Sequence, residues 1–468
     1  MSKLTKSDIY QGLFPIYHLS KVSGLLPVRF VHQRNDRYIG RIHVIDIVLS
    51  IFLLVLFIVL EIWGLWRDLR DGWVNSTRLK HQTAVNITVG DVCAVALLAT
   101  VGVLGAPFRW KYIQEMISRF VHADDKLGFI NLKKTRRFAI ILATATIICF
   151  IILASLDIYV WDAQTKAKRK MSDKGPINYT PVYFLYFQAL MIEIQCTIAT
   201  YNLNERFIRL NKNLENLLKS MKNTSRKDIS LIGDPIIETD KIPVTILRPE
   251  MHSKSAKRVF RTPKKPEWTN ERDAAEIADS LSQLISIHSS LCDINLLINK
   301  AFGFPILVVG ITCLLHLIIT PYFLMMEANN EREGIFIFVQ CLWCILHIYR
   351  MLMVVQPCYA TTKESKNTAV LISQLLTYSW QPDVRKQLEI FSLQLLHRPL
   401  NFSACGLFSL DRALVTSMAG AVTTYLVILI QFQKADDSKD NTNNMLKNAT
   451  LLLRNVSSLH NTTGFRLS

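Results

Sequence analysis

Apolar residues in this chain gather into seven runs, near 44–66, 84–107, 138–160, 181–201, 302–325, 335–356 and 413–433. Each is close to the ~20 residues a helix needs to cross the hydrocarbon of a bilayer. Backbone polar groups in lipid must be satisfied internally, which leaves helices or a closed barrel as spanning structures, and runs of this length are helices. The pattern therefore predicts an all-α membrane protein with seven transmembrane helices.

The polar positions between the runs orient it. Residues 1–43 are basic, with Lys3, Lys6, Lys21, Arg29, Arg34, Arg37 and Arg41 against Asp8 and Asp36, which assigns the N-terminal segment to the cytoplasm. The stretch after the second run carries Arg109, Lys111, Arg119, Lys126, Lys133, Lys134, Arg136 and Arg137 and reads as an inner loop. The first and third runs lead outward to loops holding glycan acceptors at Asn75 and Asn178. An odd number of spans puts the ends on opposite sides, so residues 434–468 form an extracellular tail, and its acceptors at Asn448, Asn455 and Asn461 agree.

Helical periodicity continues beyond several runs. Spans one to four occupy 44–201, and the fourth extends through Phe207, Leu210, Leu214 and Leu217 at spacings of three and four. A cytoplasmic loop, 202–300, contains a Pro-, Ser-, Lys- and Arg-rich flexible part at 223–268, after which Ile277, Leu281, Leu284, His288 and Leu291 mark a helix entering span five. Spans five and six fill 301–356. Residues 357–409 read as anchor helices broken at Gln381-Pro382, and 410–433 is the seventh span. Helices four to seven are thus expected to project into the cytosol as an anchoring bundle.

Composition narrows the class further. Half of the residues are hydrophobic, and the net charge of +17 sits mostly between spans, where anionic lipid rather than nucleic acid is its partner. Nine cysteines are present and none falls in a predicted outer loop, so no extracellular disulfide framework is expected. Cys341 and Cys344 form a C-x-x-C on an apolar helix without a further ligand set, which favours packing over metal. No phosphate loop, zinc-protease or nucleophile-elbow motif occurs, and neither enzyme activity nor a cofactor is expected.

The candidate chemistry lies at two depths. Within about 13 Å of the outer surface, at ~1.5 Å per helical residue, several spans carry polar or aromatic groups: Asp157 on span three, Tyr183, Tyr186 and Gln188 on span four, His316, Thr320 and Tyr322 on span five, Gln340 and Trp343 on span six. An aromatic face beside amide, hydroxyl and carboxylate groups suits a sugar or polyol. Glu193, in mid-span, would be costly as an unpaired anion, which implies protonation or a partner that the sequence does not identify. On span seven, Thr424, Ile428 and Gln431 share one helix face, and the Gln431 amide must avoid hydrocarbon by facing protein or a wet path. Past it, Asp436 and Asp437 would concentrate cations at an exit.

Thr424-Tyr425, five apolar residues, then Gln431-Phe432 resembles the signature of insect gustatory receptors. The words CLLHL (313–317), LMVVQPC (352–358) and FSACGL (402–407) are similar to the fructose-receptor branch of that family. The resemblance implies a plasma-membrane channel of four chains around an axis, alone or with other gustatory receptor subunits. In it Thr424, Tyr425, Ile428, Gln431 and Phe432 form the pore and gate, and Thr320, Tyr322, Gln340 and Trp343 match positions lining the sugar site. Asn178 stands where the branch favours Trp, which leaves room for a polyol such as myo-inositol beside D-fructose. A sugar carrier is the competing expectation, disfavoured by the odd span count and the lack of an internal repeat. A metabotropic receptor would require the reverse orientation.

Overall fold

The computed structural model of the chain describes residues 16–33, 37–70, 82–128, 132–167, 180–231, 271–328, 334–378 and 380–463. Asn75 and Asn178 lie outside them. The chain opens with a helical segment at 16–22 and an antiparallel hairpin, β1 (Val28–Gln33) with β2 (Arg37–Ile42). Eight helices follow: α1 (Val44–Arg70), α2 (Gln82–Leu127), α3 (Leu132–Ala167), α4 (Thr180–Leu231), α5 (Glu271–Ala328), α6 (Gly334–Leu376), α7 (Pro382–His397) and α8 (Arg412–Thr463). Among the described residues seven of these, all but α7, are long and apolar enough to cross a membrane.

Most helices run far beyond a bilayer. At ~1.5 Å per residue the 58 residues of α5 extend about 87 Å, against the ~30 Å of a hydrocarbon core. At the end that includes α7, Leu210 and Leu214 of α4, Leu281 and Leu291 of α5 and Leu388 and Phe391 of α7 are fully buried. The His288 ring joins them, edge-on to Phe207 at 5.9 Å and to Phe391 at 5.3 Å. Strips of Leu and Phe at helical spacing thus close an anchor bundle.

The structure departs from the sequence pattern in four places. The basic stretch after Pro107 is helix rather than loop: α2 continues through the proline to Leu127, and beside the disturbed turn the Arg109 guanidinium donates to the Gly102 carbonyl at 2.7 Å. Helix α4 runs to Leu231, nine residues into the stretch expected to be flexible, and 232–270 lie outside the described residues. The expected polar tail is largely a continuation of α8, which carries Asn448, Asn455 and Asn461 on its length. The N-terminal segment is folded onto the helices. Arg29 makes a two-point ion pair with Asp46 of α1 at 3.0 and 2.9 Å, Lys21 adds a third contact at 3.2 Å, and Trp110 of α2 donates to the Gly40 carbonyl at 3.0 Å. Gly40 is required there, because a Cβ would run into the Trp110 indole.

Helix α4 is the axis of the bundle and α8 its outlier. Over an apolar stretch of 18 residues in α4, 78% are buried; over the corresponding stretch of α8, 6% are. A helix that meets so little of its own chain presents its faces to lipid or to other chains.

Candidate functional site

The half of the bundle away from α7 holds a buried polar and aromatic cluster where α2, α3, α4, α5 and α6 converge. It follows from which turns of these apolar helices carry a non-aliphatic side chain. Trp343 of α6, 8% exposed, lies 5.4 Å from the Tyr186 ring and 6.3 Å from that of Tyr183, nearly parallel to the latter at 22°. Phe150 of α3 meets it edge-on at 6.5 Å.

Tyr183, Tyr186, Asp157, Asp91 and His316 of this layer each have a partner from another helix. The Tyr183 hydroxyl donates to Asp157 of α3 at 2.7 Å. The Tyr186 hydroxyl bonds His316 Nε2 and donates to Asp91 of α2 at 3.2 Å, while Asp91 also meets His316 Nε2. His316 Nδ1 in turn lies 2.6 Å from the Thr312 carbonyl, which fixes the ring's rotation on α5. Thr320 and Tyr322 are buried one to two turns further along α5, and Gln340 is half-buried one turn before Trp343 on α6.

Beneath this layer sits an ion pair that the sequence reading left without its second member. Arg350 of α6 and Glu193 of α4, 1% and 0% exposed, meet through Nε at 3.0 and 3.2 Å and through Nη2 at 2.6 Å. Arg350 Nη1 lies 3.3 Å from His347 Nδ1, and the His347 ring is 4.3 Å from that of His316. A continuous polar path therefore runs from Asp91 through Tyr186, His316 and His347 to the buried pair.

Of the expected ligand residues, Asp157, Tyr186, His316 and Trp343 are brought together, with Tyr183 beside them. Gln188 is not. Two residues beyond Tyr186 it faces elsewhere around α4 and donates to the Ser23 carbonyl at 2.8 Å, so it docks the N-terminal segment instead. Asp91, His347 and Arg350 were missed. The signal existed: His347 and Arg350 follow Trp343 by four and seven residues on one helix face, and an Arg in one apolar run beside a Glu in another is grounds for pairing them. A cavity of about 100 Å³ lies away from this layer, toward the anchor end, between the N-terminal segment, α2 and α4, where Ile16, Phe30, Trp110, Met116 and Ile198 line it.

On α8, Thr424, Tyr425, Ile428 and Gln431 are largely exposed in the single chain. The Thr424 hydroxyl is satisfied by the Gly420 carbonyl at 3.0 Å, a bond any threonine can make within its helix. Gln431 has no such local remedy, so the requirement for a wet or protein-lined face rests on it. The start of α8 is held from two sides. Arg412 stacks over the Tyr359 ring of α6 at 4.1 Å and reaches Gln356 at 3.4 Å. The hairpin β3 (Ser403–Ala404) with β4 (Phe408–Ser409), whose first strand and turn are the FSACGL word, lies on α5, where Asn295 and Asn299 both donate to the Asn401 carbonyl at 2.8 and 2.9 Å. Gly303 permits the close approach, since a Cβ there would sit 3.2 Å from the Cys405 nitrogen.

Comparison with known proteins agrees with this architecture. The chain is 31% identical to the gustatory receptor for sugar taste 43a of Drosophila melanogaster over 438 residues, covering 92% of this chain and all of that one. It is 35% identical to the putative gustatory receptor 28a of the same fly over 179 residues, 36% of this chain and 39% of that one. In structure it resembles the insect olfactory receptor OR5 from Machilis hrabei with a TM-score of 0.60 at 13% identity, covering 91% of this chain and 98% of that one. Residues 13–436 match the family model described as 7tm chemosensory receptor, so the chain belongs to the chemosensory receptor family, as a multi-pass membrane protein of seven spans.

Proposed function

We propose that the chain is the subunit of a ligand-gated, non-selective cation channel of the plasma membrane, opened by a monosaccharide such as D-fructose or by a polyol such as myo-inositol. The observation that carries this reading is the position of the Trp343 layer: it stands on α5 and α6, the two helices that also grip the start of α8. The sugar-taste relative supports the ligand class. The aromatic faces of Trp343 and Tyr186 suit the C–H face of a sugar ring, and Asp157, Asp91, His316, Thr320, Tyr322 and Gln340 supply groups for its hydroxyls.

In this reading the N-terminus is cytoplasmic and the end of α8 extracellular. Four copies of α8, of this chain or with related receptor subunits, surround the axis. Gln431 and Phe432 close the path at its outer end, with Thr424, Tyr425 and Ile428 below. A ligand opens the path only by binding the open arrangement more tightly than the closed one. It exchanges its hydroxyls for the internal bonds Tyr183–Asp157 and Tyr186–Asp91, and the resulting shift of α5 and α6 is passed to α8 through the Asn401 hairpin and Arg412. Expression of the chain alone in a cell without other chemoreceptors, with D-fructose, other monosaccharides and myo-inositol applied in turn, tests this. Inward cation current to at least one of them, lost in Trp343→Ala at equal surface expression, is expected; a Trp343→Ala dose-response equal to the parent's would remove the site.

A further inference from the structure

Helix α8 does not end where its apolar span ends. It continues without a break to Thr463, with neither Gly nor Pro between Ala421 and Thr463, so its 52 residues extend about 78 Å. Measured from Gln431 at ~1.5 Å per residue, Met445 stands about 21 Å and Leu453 about 33 Å further along the axis. Yet these residues are apolar and bare: Met445 is 74% exposed, Leu446 66%, Leu452 66% and Leu453 70%. A straight helix carries them out of reach of the bilayer it has just crossed, so lipid cannot be what covers them. The match to the family ends at residue 436, before this stretch begins.

The stripe has a register. Thr424, Ile428 and Gln431 are spaced four and three apart, and the same alternation continues through Ala435, Ser438 and Thr442 to Met445, Ala449 and Leu452, and in sequence to Val456 and Leu459. From Met445 onward the alternation is apolar, through Ala449 and Leu452 and in sequence to Val456 and Leu459, the a/d pattern of a coiled-coil seam over two heptads, with Leu446 and Leu453 beside it. Lys447 falls on the opposite face and the glycan acceptor Asn461 off the stripe, while the acceptors Asn448 and Asn455 flank it on the side away from Leu446 and Leu453. Residues 436–444 are Asp, Ser, Lys, Asn and Thr, mostly poor helix formers, and a helix built on them needs packing to persist.

We propose that residues 437–463 form a stalk in which copies of this chain pair along the seam of Met445, Ala449 and Leu452. The inference rests on the reading that α8 surrounds a shared axis, because the face turned to that axis at Gln431 is the face that carries the seam two heptads later. The stalk holds the outer ends of the subunits together beyond the pore. Between gate and stalk the seam residues are small, Ala435, Ser438 and Thr442, two of them hydroxylated, so this part of the bundle stays loose and wet. Cations then leave sideways between helices, past Asp436 and Asp437, rather than along the closed axis.

The test uses the full-length chain, purified in detergent and carrying Met445→Cys, Leu452→Cys or Lys447→Cys, treated with a short thiol-to-thiol crosslinker. The parent, with its nine cysteines, sets the background, and the mass of the untreated assembly is measured in parallel. Subunits joined at Met445→Cys and Leu452→Cys but not above background at Lys447→Cys are expected. An assembly of several chains that crosslinks equally at all three positions, or at none, overturns the stalk and leaves the shared pore standing. A mass equal to one chain overturns both.

Discussion

Arg350 and Glu193 form a two-point ion pair between α6 and α4 with neither side chain reaching solvent. It is the base of the polar and aromatic layer around Trp343, since Arg350 also meets His347, the ring below His316. Removing one member leaves the other as a buried, uncompensated charge, which typically costs ~3–5 kcal/mol, whereas replacing both with apolar groups can be nearly neutral. Arg350→Met is therefore expected to lower the melting temperature of the purified chain sharply and to reduce its surface level. The double change Arg350→Met with Glu193→Leu recovers most of the loss. A double variant as unstable as the single one would show that the two charges do not compensate each other.

The hydroxyl of Tyr183 is expected to matter less than the ring of Trp343. Tyr183→Phe removes one bond to Asp157 while keeping the aromatic face, and losing a hydrogen bond of ~1.4 kcal/mol corresponds to about a tenfold shift in affinity. Dose-response curves should move by that order in Tyr183→Phe, and be abolished in Trp343→Ala.

Gln188, by contrast, should not affect ligand sensitivity. Its bond to the Ser23 carbonyl ties the N-terminal segment to α4, so Gln188→Leu is expected to weaken that docking by about 1 kcal/mol, the usual net value of one hydrogen bond. The half-maximal ligand concentration stays where it is in the parent. A marked shift would return Gln188 to the ligand layer.

Along α8 the two polar positions separate. Thr424→Ala exposes one Gly420 carbonyl lone pair and should change currents little, while Gln431→Ala removes a group that its own helix does not satisfy. Gln431→Ala is expected to produce leak or loss of current with ligand binding retained, read by whole-cell recording beside a binding assay on membranes. Parent-like currents would refute its assignment to the gate.

The seven spans were legible because a run of apolar side chains has one structural answer in lipid. Clusters within the spans were legible only in part. Trp343, His316 and Tyr186 stood out as polar or aromatic interruptions at one depth, but depth alone does not say which way a side chain turns around its helix, and Gln188 was misassigned for that reason. Glu193 was recognised as needing a partner; Arg350, the arginine inside another apolar run, was open to pairing with it on charge alone, and the packing of α4 on α6 brings the two together. The polar composition after Gln433 suggested a tail, and local propensity concealed a three-four repeat that becomes visible when the helix is seen to be continuous. Pro107 misled in the other direction, since a proline deflects a long packed helix without ending it.

The central claim is that ligand binding opens an ion path in an assembly of this chain. Purified protein reconstituted in liposomes, with cation flux and labelled-sugar uptake followed in the same vesicles, tests it most directly. The account predicts cation flux that saturates with D-fructose or myo-inositol and no accumulation of the sugar. Uptake of sugar without ligand-dependent cation flux would contradict it and make the chain a carrier.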